Sequence, residues 1–417
     1  MGTLLAVALV VLAAVPALLV RLTGAAMPVE PATLLFGLAI VGASFAMAWG
    51  AEAAEHDIPR ALALTVVALL AVLPEYAVDF IFAFKAGQNP EFAPYAAANM
   101  TGSNRLLLGL GWPTVSVLAW LFRRQPRLVL TRDAVLPLFF LAVATIYSFI
   151  LPLKANIGPI DSVVLFALFG GYAVLAGREE TVEPDLVGPA ATIGALPQGL
   201  RRLSIVALFA FAAVTIAASA EPFADGLVRT GHSLGIDEFL LVQWVAPLAS
   251  EAPEFLVAAL LALRGKATAG LGLLLSAKVN QWTLLVGSLP LAYSLGAGRP
   301  DALPLDTRQV AEVWLTAAQS LFGVAVLASL SLELGESALL AGLFLAQFIA
   351  GGVIRTSLRD TGSGETELVV FSIVYVLLSL VFAVRARGVL GTMWRKGRDR
   401  TRRDRQKTLV TSRRDLV

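Results

Sequence analysis

Four carboxylates stand inside long apolar runs of this sequence. Glu75 and Asp79 lie in Leu73-Pro74-Glu75-Tyr76-Ala77-Val78-Asp79, within an apolar stretch at about 60–84. Glu251 and Glu254 lie in Glu251-Ala252-Pro253-Glu254-Phe255-Leu256-Val257, within another at about 236–263. The two stretches share Pro-Glu-aromatic-x-Val. On a helix, residues three or four apart share a face, so Glu75 pairs with Asp79 and Glu251 with Glu254. Pro74 and Pro253 each remove a backbone N–H and loosen a carbonyl one turn upstream. Ionisable groups are expensive in hydrocarbon, and there they mark ion pathways. Carboxylates beside a loosened turn offer hard oxygen ligands of the kind that suit calcium, sodium or magnesium. The blander reading makes the glutamates structural partners of Lys278, yet two acids exceed what one lysine requires. Asp79 lies nearer its helix end and fits a vestibule as well as a direct role.

Each motif is followed by a polar patch in an apolar run: Asn99-Met100-Thr101-Gly102-Ser103-Asn104 in the first half and Ser276-Ala277-Lys278-Val279-Asn280-Gln281 in the second. Counted forward from the glutamates, Asn99 falls opposite Lys278. Asn99 is expected as a ligand or as a partner of Glu75. Thr101, Ser103, Asn104, Ser250 and Asn280 are candidates to line the same cavity, or else glue helices together. Glu312 and Gln319 sit on a later span, and Glu312, close to its helix end, is expected in solvent. Trp112, Trp120, Trp244 and Trp282 read as interfacial or packing aromatics.

These residues must be positioned by membrane-spanning helices. The chain is 57% hydrophobic and 15% charged, against roughly 25% charged in soluble domains, and its mean hydropathy is +0.77. With no cysteine, disulfides, thiolate metal sites and cysteine nucleophiles are excluded. His56 and His232 fall in connecting segments, which argues against a histidine metal site. Apolar runs long enough to span occur near 3–22, 32–51, 60–84, 91–121, 133–152, 158–177, 203–220, 236–263, 268–296, 308–331, 336–355 and 366–385, about twelve in all. The first lacks a basic leader and is expected to be a retained helix. The expected organisation is an extra helix in 1–31, a first repeat in 32–177 and a loop in 178–202 carrying Glu179, Glu180, Glu183 and Asp185. A second repeat follows in 203–355, then an extra helix in 356–385 and a basic tail in 386–417. Five spans separate the two Pro-Glu copies, so the second is inverted relative to the first. Basic residues, among them Arg60, Arg123, Arg124, Arg201, Arg202 and the tail from Arg395 to Arg405, place both termini in the cytoplasm. The tail alternates with Asp399 and Asp404 and follows a span, so it fits anionic lipid better than nucleic acid.

On these residues the sequence resembles the calcium/cation antiporter superfamily, the sodium/calcium exchanger-like group. Its repeats carry Gly-Thr-Ser-x-Pro-Glu and then Gly-Asn-x-x-Gly-Ser-Asn. Pro74-Glu75 with Asn99 and Gly102-Ser103-Asn104 match the first repeat, and Pro253-Glu254 the second. The resemblance implies an all-α polytopic membrane protein, two inverted repeats of five transmembrane helices plus one extra helix at each end. It also implies Glu75 and Glu254 as ligands of the transported metal ion, inorganic cations and the lipid bilayer as partners, no resident cofactor and a cell-membrane location. The Thr-Ser pair is replaced by Ala71-Val72 in one repeat and by Ser250-Glu251 in the other, where the family's hydroxyls help hold sodium. Lys278 stands where a polar or acidic ligand is expected. Its ammonium is expected to pair with Glu254 or Glu251 and to stand in for a sodium ion, which suits exchange of Ca2+ or another cation against H+. The alternatives are a Na+/Ca2+ exchanger with altered sodium sites and a non-transporting scaffold or sensor that kept the fold. An intramembrane hydrolase lacks the nucleophile–base or metal set it would need.

Overall fold

The computed structural model describes residues 2–54, 57, 73–178, 186–357 and 365–386. His56, Arg60, the Ala71-Val72 pair, the acidic loop residues Glu179, Glu180, Glu183 and Asp185, and the tail beyond 386 lie outside the described residues. The helices are α1 (Gly2–Thr23), α2 (Val29–Ala54), α3 (Leu73–Gln88), α4 (Ala93–Leu106), α5 (Trp112–Arg123), α6 (Val135–Ser148), α7 (Pro159–Ala176), α8 (Gln198–Leu234), α9 (Glu238–Leu263), α10 (Ala267–Asn280), α11 (Val286–Ala297), α12 (Thr307–Leu327), α13 (Leu334–Ser357) and α14 (Glu365–Ala386). A π turn at Leu107–Gly111 joins α4 to α5, and a second at Gln281–Leu285 joins α10 to α11. Each pair therefore runs as one long rod.

Among the described residues ten helices are long and apolar enough to cross a membrane. The α10–α11 rod and α3, which holds the described residues of the apolar run at 60–84, are the other two segments of the twelve. Leu4, Leu5, Leu12 and Leu22 on α1, and Ile160 and Val163 on α7, are exposed. Such continuous apolar surface fits lipid rather than water. The helix ends use ordinary signals. Asp306 caps α12 by accepting from the Gln309 backbone N–H at 2.8 Å, while the Gln309 side chain accepts from the Asp306 N–H at 3.0 Å, a capping box. Gly235, at φ 67°, turns α8 into α9.

Helices α2–α7 form the first repeat and α8–α13 the second, with opposite orientation. Two tiny antiparallel ribbons display the two-fold relation. Residues Arg127–Val129, after α5, pair with Ser331–Glu333, after α12; Asn156–Ile157, after α6, pair with Leu303–Pro304, after α11. Each ribbon thus joins a loop of one repeat to the complementary loop of the other, one at each end of the bundle. Between the ribbons the helices approach closely at small residues. A β-carbon on Gly87 of α3 would overlap the Tyr293 carbonyl oxygen of α11, and one on Gly296 would overlap that of Phe84. Lipid gives helices little hydrophobic reason to associate, so backbone-to-backbone packing of this kind holds them together. The first helices of the two repeats, α2 and α8, lie along one another and share a Thr33–Thr230 hydroxyl bond at 3.0 Å.

Where α2 leaves the bundle, Asp57 is clamped to the start of α8. Arg201 donates to both of its carboxylate oxygens, at 2.7 and 2.9 Å, and Arg202 approaches at 3.4 Å. The Arg201 hydrogen bonds hold the Asp57 carboxyl down at about 2. A depressed pKa stabilises the fold above the ordinary carboxylate value, and the contribution is lost as pH falls towards the native value. Asp57→Asn is therefore expected to destabilise the protein by about 1 kcal/mol at neutral pH. In a thermal melt at stepped pH, the gap between wild type and variant should narrow between pH 4 and pH 2; a gap that does not depend on pH contradicts the clamp.

Candidate functional site

The four sequence-predicted acids are all on α3 and α9, and polar groups on the two rods reach them. Glu75 Oε1 accepts from Ser103 Oγ at 2.8 Å and from Gln281 Nε2 at 3.3 Å; the same Gln281 nitrogen donates to Glu251 Oε1 at 2.9 Å. One amide thereby bridges a carboxylate from each repeat. Beside this bridge, Asn99 Nδ2 donates to Asp79 Oδ1 at 2.8 Å, and Tyr76 donates from its hydroxyl to Asn280 Oδ1 at 3.0 Å. Asn99 thus partners Asp79 rather than Glu75. Glu75, Asp79, Asn99, Ser103 and Glu251 are buried, and Glu254 is half-buried one turn along α9 from Glu251.

What these groups leave unsatisfied matters as much as what they bond. Asp79 Oδ2, Asn99 Oδ1, Glu251 Oε2, Glu254 Oε2 and Gln281 Oε1 are buried oxygens with no hydrogen-bond partner. A buried acceptor without a donor is costly, and five of them around one bridge form a field of hard oxygen donors suited to a cation. Among the described residues no group of three or more His, Asp or Glu side chains is arranged to hold a metal ion. The arrangement therefore depends on amide and hydroxyl oxygens mixed with carboxylates. Glu75 is linked through Gln281 to Glu251, whereas the expected metal pair was Glu75 with Glu254.

Lys278 corrects two expectations. Its side chain is 0% exposed, but it makes no ion pair with Glu251 or Glu254. Its ammonium donates to the Asn104 backbone carbonyl and, at 2.9 Å, to Asn104 Oδ1, with the Trp282 ring 5.6 Å away. Nor is Asn99 its counterpart. Each π turn starts fourteen residues after its helix does, so Leu107 matches Gln281 and Asn104 matches Lys278. Counting from the glutamates failed because α9 ends nine residues after Glu254 whereas α3 runs thirteen past Glu75, and the connection into α10, 264–266, is one residue shorter than the one into α4, 89–92. Equivalent residues of inverted repeats meet where the two-fold axis passes, and Asn104 and Lys278 do touch.

Two hydroxyls face their own helices: Ser250 donates to the Ala246 carbonyl at 3.2 Å, and Thr101 to that of Ala97 at 2.8 Å. Glu312, expected in solvent, is 0% exposed, pairs with Arg105 at 2.8 Å and accepts from Gln243 of α9 at 3.1 Å. Sequence reasoning left Gln281 unassigned and passed over Arg105. Gln281 stands three residues beyond Lys278, one turn along the same face, and that spacing could have singled it out.

The rest of the identification comes from comparison. The family described as sodium/calcium exchanger protein matches residues 31–177 and 204–351. The chain is similar to the crystal structure of the H+/Ca2+ exchanger CAX, with 42% identity and a TM-score of 0.86 over 94% of this chain and 96% of that one. It also shares its fold with the Ca2+/H+ antiporter protein YfkE, at 15% identity and a TM-score of 0.60 over 90% and 99% of the two chains. The sodium-calcium exchanger NCX_Mj shares it too, at 18% and 0.51 over 79% and 99%. No curated protein matches the chain.

Gly102 lets α9 come close enough to complete the site. A β-carbon there would overlap the Gln243 carbonyl oxygen, so Gly102→Ala must separate α4 from α9. We expect a loss of about 2 kcal/mol or more of stability, in the range of overpacked cores. A melting temperature equal to wild type contradicts the close approach.

Proposed function

The chain belongs to the sodium/calcium exchanger protein family, and from that premise we propose that it is a secondary active antiporter carrying Ca2+ in exchange for H+. The observation that carries this reading is the Gln281 bridge between Glu75 and Glu251, with hard oxygens left unpaired around it. A 42% identical relative is an H+/Ca2+ exchanger, which supports the choice of ions. In the proposed cycle Ca2+ takes its ligands from Glu75, Glu251 and Glu254 with amide oxygens of Asn99 and Gln281. Protons and Ca2+ compete for the same carboxylate oxygens, so binding of one expels the other. Asp79, held by Asn99, extends the acidic path along α3 from Glu75.

Lys278 takes the role of a sodium ion in this reading. Its buried ammonium supplies a positive charge near the carboxylates, held by two Asn104 oxygens that could otherwise serve a monovalent cation. Alternating access follows from α2 and α8 moving as a pair against the core of α3, α4, α9 and α10. Both termini are assigned to the cytoplasm of a cell membrane from the placement of basic residues.

In proteoliposomes loaded at low pH, wild type should take up 45Ca down the outward proton gradient. Glu75→Gln should reduce uptake to the level of empty vesicles while keeping the wild-type melting temperature; retained flux contradicts the assignment. Uptake driven by a sodium gradient and indifferent to pH would favour a Na+/Ca2+ exchanger, and no uptake under any gradient a non-transporting scaffold. Lys278→Gln removes a positive charge beside the acids and lets protons compete better. Half-maximal uptake should then move to higher pH by about one unit. An unchanged pH profile overturns the role given to Lys278.

A further inference from the structure

Three consecutive residues of α4 are tied to three different helices. Ser103 donates to Glu75 on α3, Asn104 accepts from Lys278 on α10, and Arg105 pairs with Glu312 on α12 at 2.8 Å. Successive residues on a helix point 100° apart, so the three ties grip α4 from three sides. The Arg105 tie opens into a second buried network that shares no atom with the carboxylate bridge. Arg105 is 1% exposed, and its guanidinium lies over the Trp244 ring at 5.0 Å and donates to Gln347 on α13 at 3.4 Å. Gln347 in turn donates to Glu367 on α14 at 3.3 Å. On the other side, Gln243 of α9 donates to Glu312 at 3.1 Å and to Thr101 at 3.3 Å.

We propose that Arg105 is a positioning residue for the cation site: Glu312, Gln347 and, through Gln347, Glu367 on α14 set the rotation of α4 and thereby place Ser103 and Asn104. Helix α14 lies beyond the residues matched by the family, 31–177 and 204–351, and the network makes it a working part of the site rather than an appended anchor. A buried ion pair is weak as a source of stability, since apolar replacements are often neutral or better. It is stronger as a source of direction, because one rigid guanidinium reaches Glu312 on α12 through Nη2 and Gln347 on α13 through Nη1. The leverage is large. Side-chain atoms lie about 5 Å from a helix axis, so a rotation of roughly 20° moves them by about 2 Å. Displacements near 1 Å at a site can cost on the order of a hundredfold in rate.

The proposal rests on the antiporter reading and is tested in the same vesicles by separating half-saturation from maximal rate. Arg105→Met combined with Glu312→Leu removes both charges, so no lone charge is left buried. It is expected to melt near wild type while raising half-saturation for Ca2+ about tenfold, with a smaller change in maximal rate. Gln347→Leu, which cuts only the link to α14, is expected to raise it about threefold, and Arg105→Lys, with the charge but not the fork, to lie between wild type and the double variant. A folded double variant with wild-type half-saturation overturns the proposal. If that variant does not fold, Gln347→Leu decides by the same criterion. Wild type that moves no Ca2+ overturns the antiporter reading instead. The positioning role is then read without ligand from hydrogen exchange in peptides covering 93–106, which must be faster in Gln347→Leu for the proposal to stand.

Discussion

A carboxylate inside a bilayer must find a partner, and the partners available to Glu75 and Glu251 dictate how this bundle is assembled. In hydrocarbon the gain from burying apolar surface is absent, since lipid tails are as apolar as leucine. Close backbone contacts and polar bonds must hold the helices instead. The single amide of Gln281 touches an acid from each repeat, so the helices that bear all three must converge on one point. Ser103 and Asn99 complete the convergence from α4. The glycines at 87, 102 and 296 are where the backbones come close enough to permit it. Removing any one tie leaves a buried polar group unpaired, and the cost of that is what makes the arrangement specific.

The architecture was legible in the sequence because its signals are long-range and coarse. Twelve apolar runs, two Pro-Glu copies five spans apart and a drop in hydropathy between the halves are enough to write down an inverted repeat. The acids were legible for the same reason, since a charge in an apolar run has few explanations. Partnership was not legible. Lys278 was expected against Glu254 or Glu251 because an ammonium seeks a carboxylate, yet it is solvated by the two oxygens of Asn104. Glu312 was expected in water because of its place near a helix end, yet Arg105 comes from a neighbouring helix to meet it. Neither contact leaves a periodic trace, since each joins residues remote in sequence. The register of the second repeat was misjudged for a simpler reason: α9 ends four residues sooner after its glutamate than α3 does, and the loop before α10 is one residue shorter, neither of which shows when counting starts at the glutamates.

The π turns tie these observations together. Each widens one turn of a long rod next to the site, at Leu107–Gly111 and at Gln281–Leu285. Such turns interrupt the regular hydrogen-bond ladder and recur at functional positions. Here the second π turn begins with Gln281 itself, and the first follows Asn104 by three residues. The symmetric backbone device carries different side chains in the two repeats. At the start of the turn Leu107 in one repeat matches Gln281 in the other, and three residues earlier Asn104 matches Lys278. An inverted repeat with identical halves would face both entrances with the same chemistry. The divergence at these positions gives the core one buried lysine and one bridged pair of acids.

The charges of that core do not cancel, and the imbalance constrains what the protein can carry. Glu75, Asp79, Glu251 and Glu254 are four carboxyl groups, and Lys278 brings one ammonium; Arg105 and Glu312 offset each other. With every carboxyl ionised, three negative charges would remain in the membrane interior, which is a prohibitive state without cations. With every carboxyl protonated, an entering cation would meet only neutral oxygens. In the proposed cycle the site therefore holds either protons or a transported cation, and filling by one drives out the other. In that proposed cycle the Lys278 ammonium lowers the remaining charge by one, as a bound sodium ion would. On that proposal, a site that carries its cation covalently has less need of a monovalent co-ion, which leaves protons as the counterpart to a divalent ion.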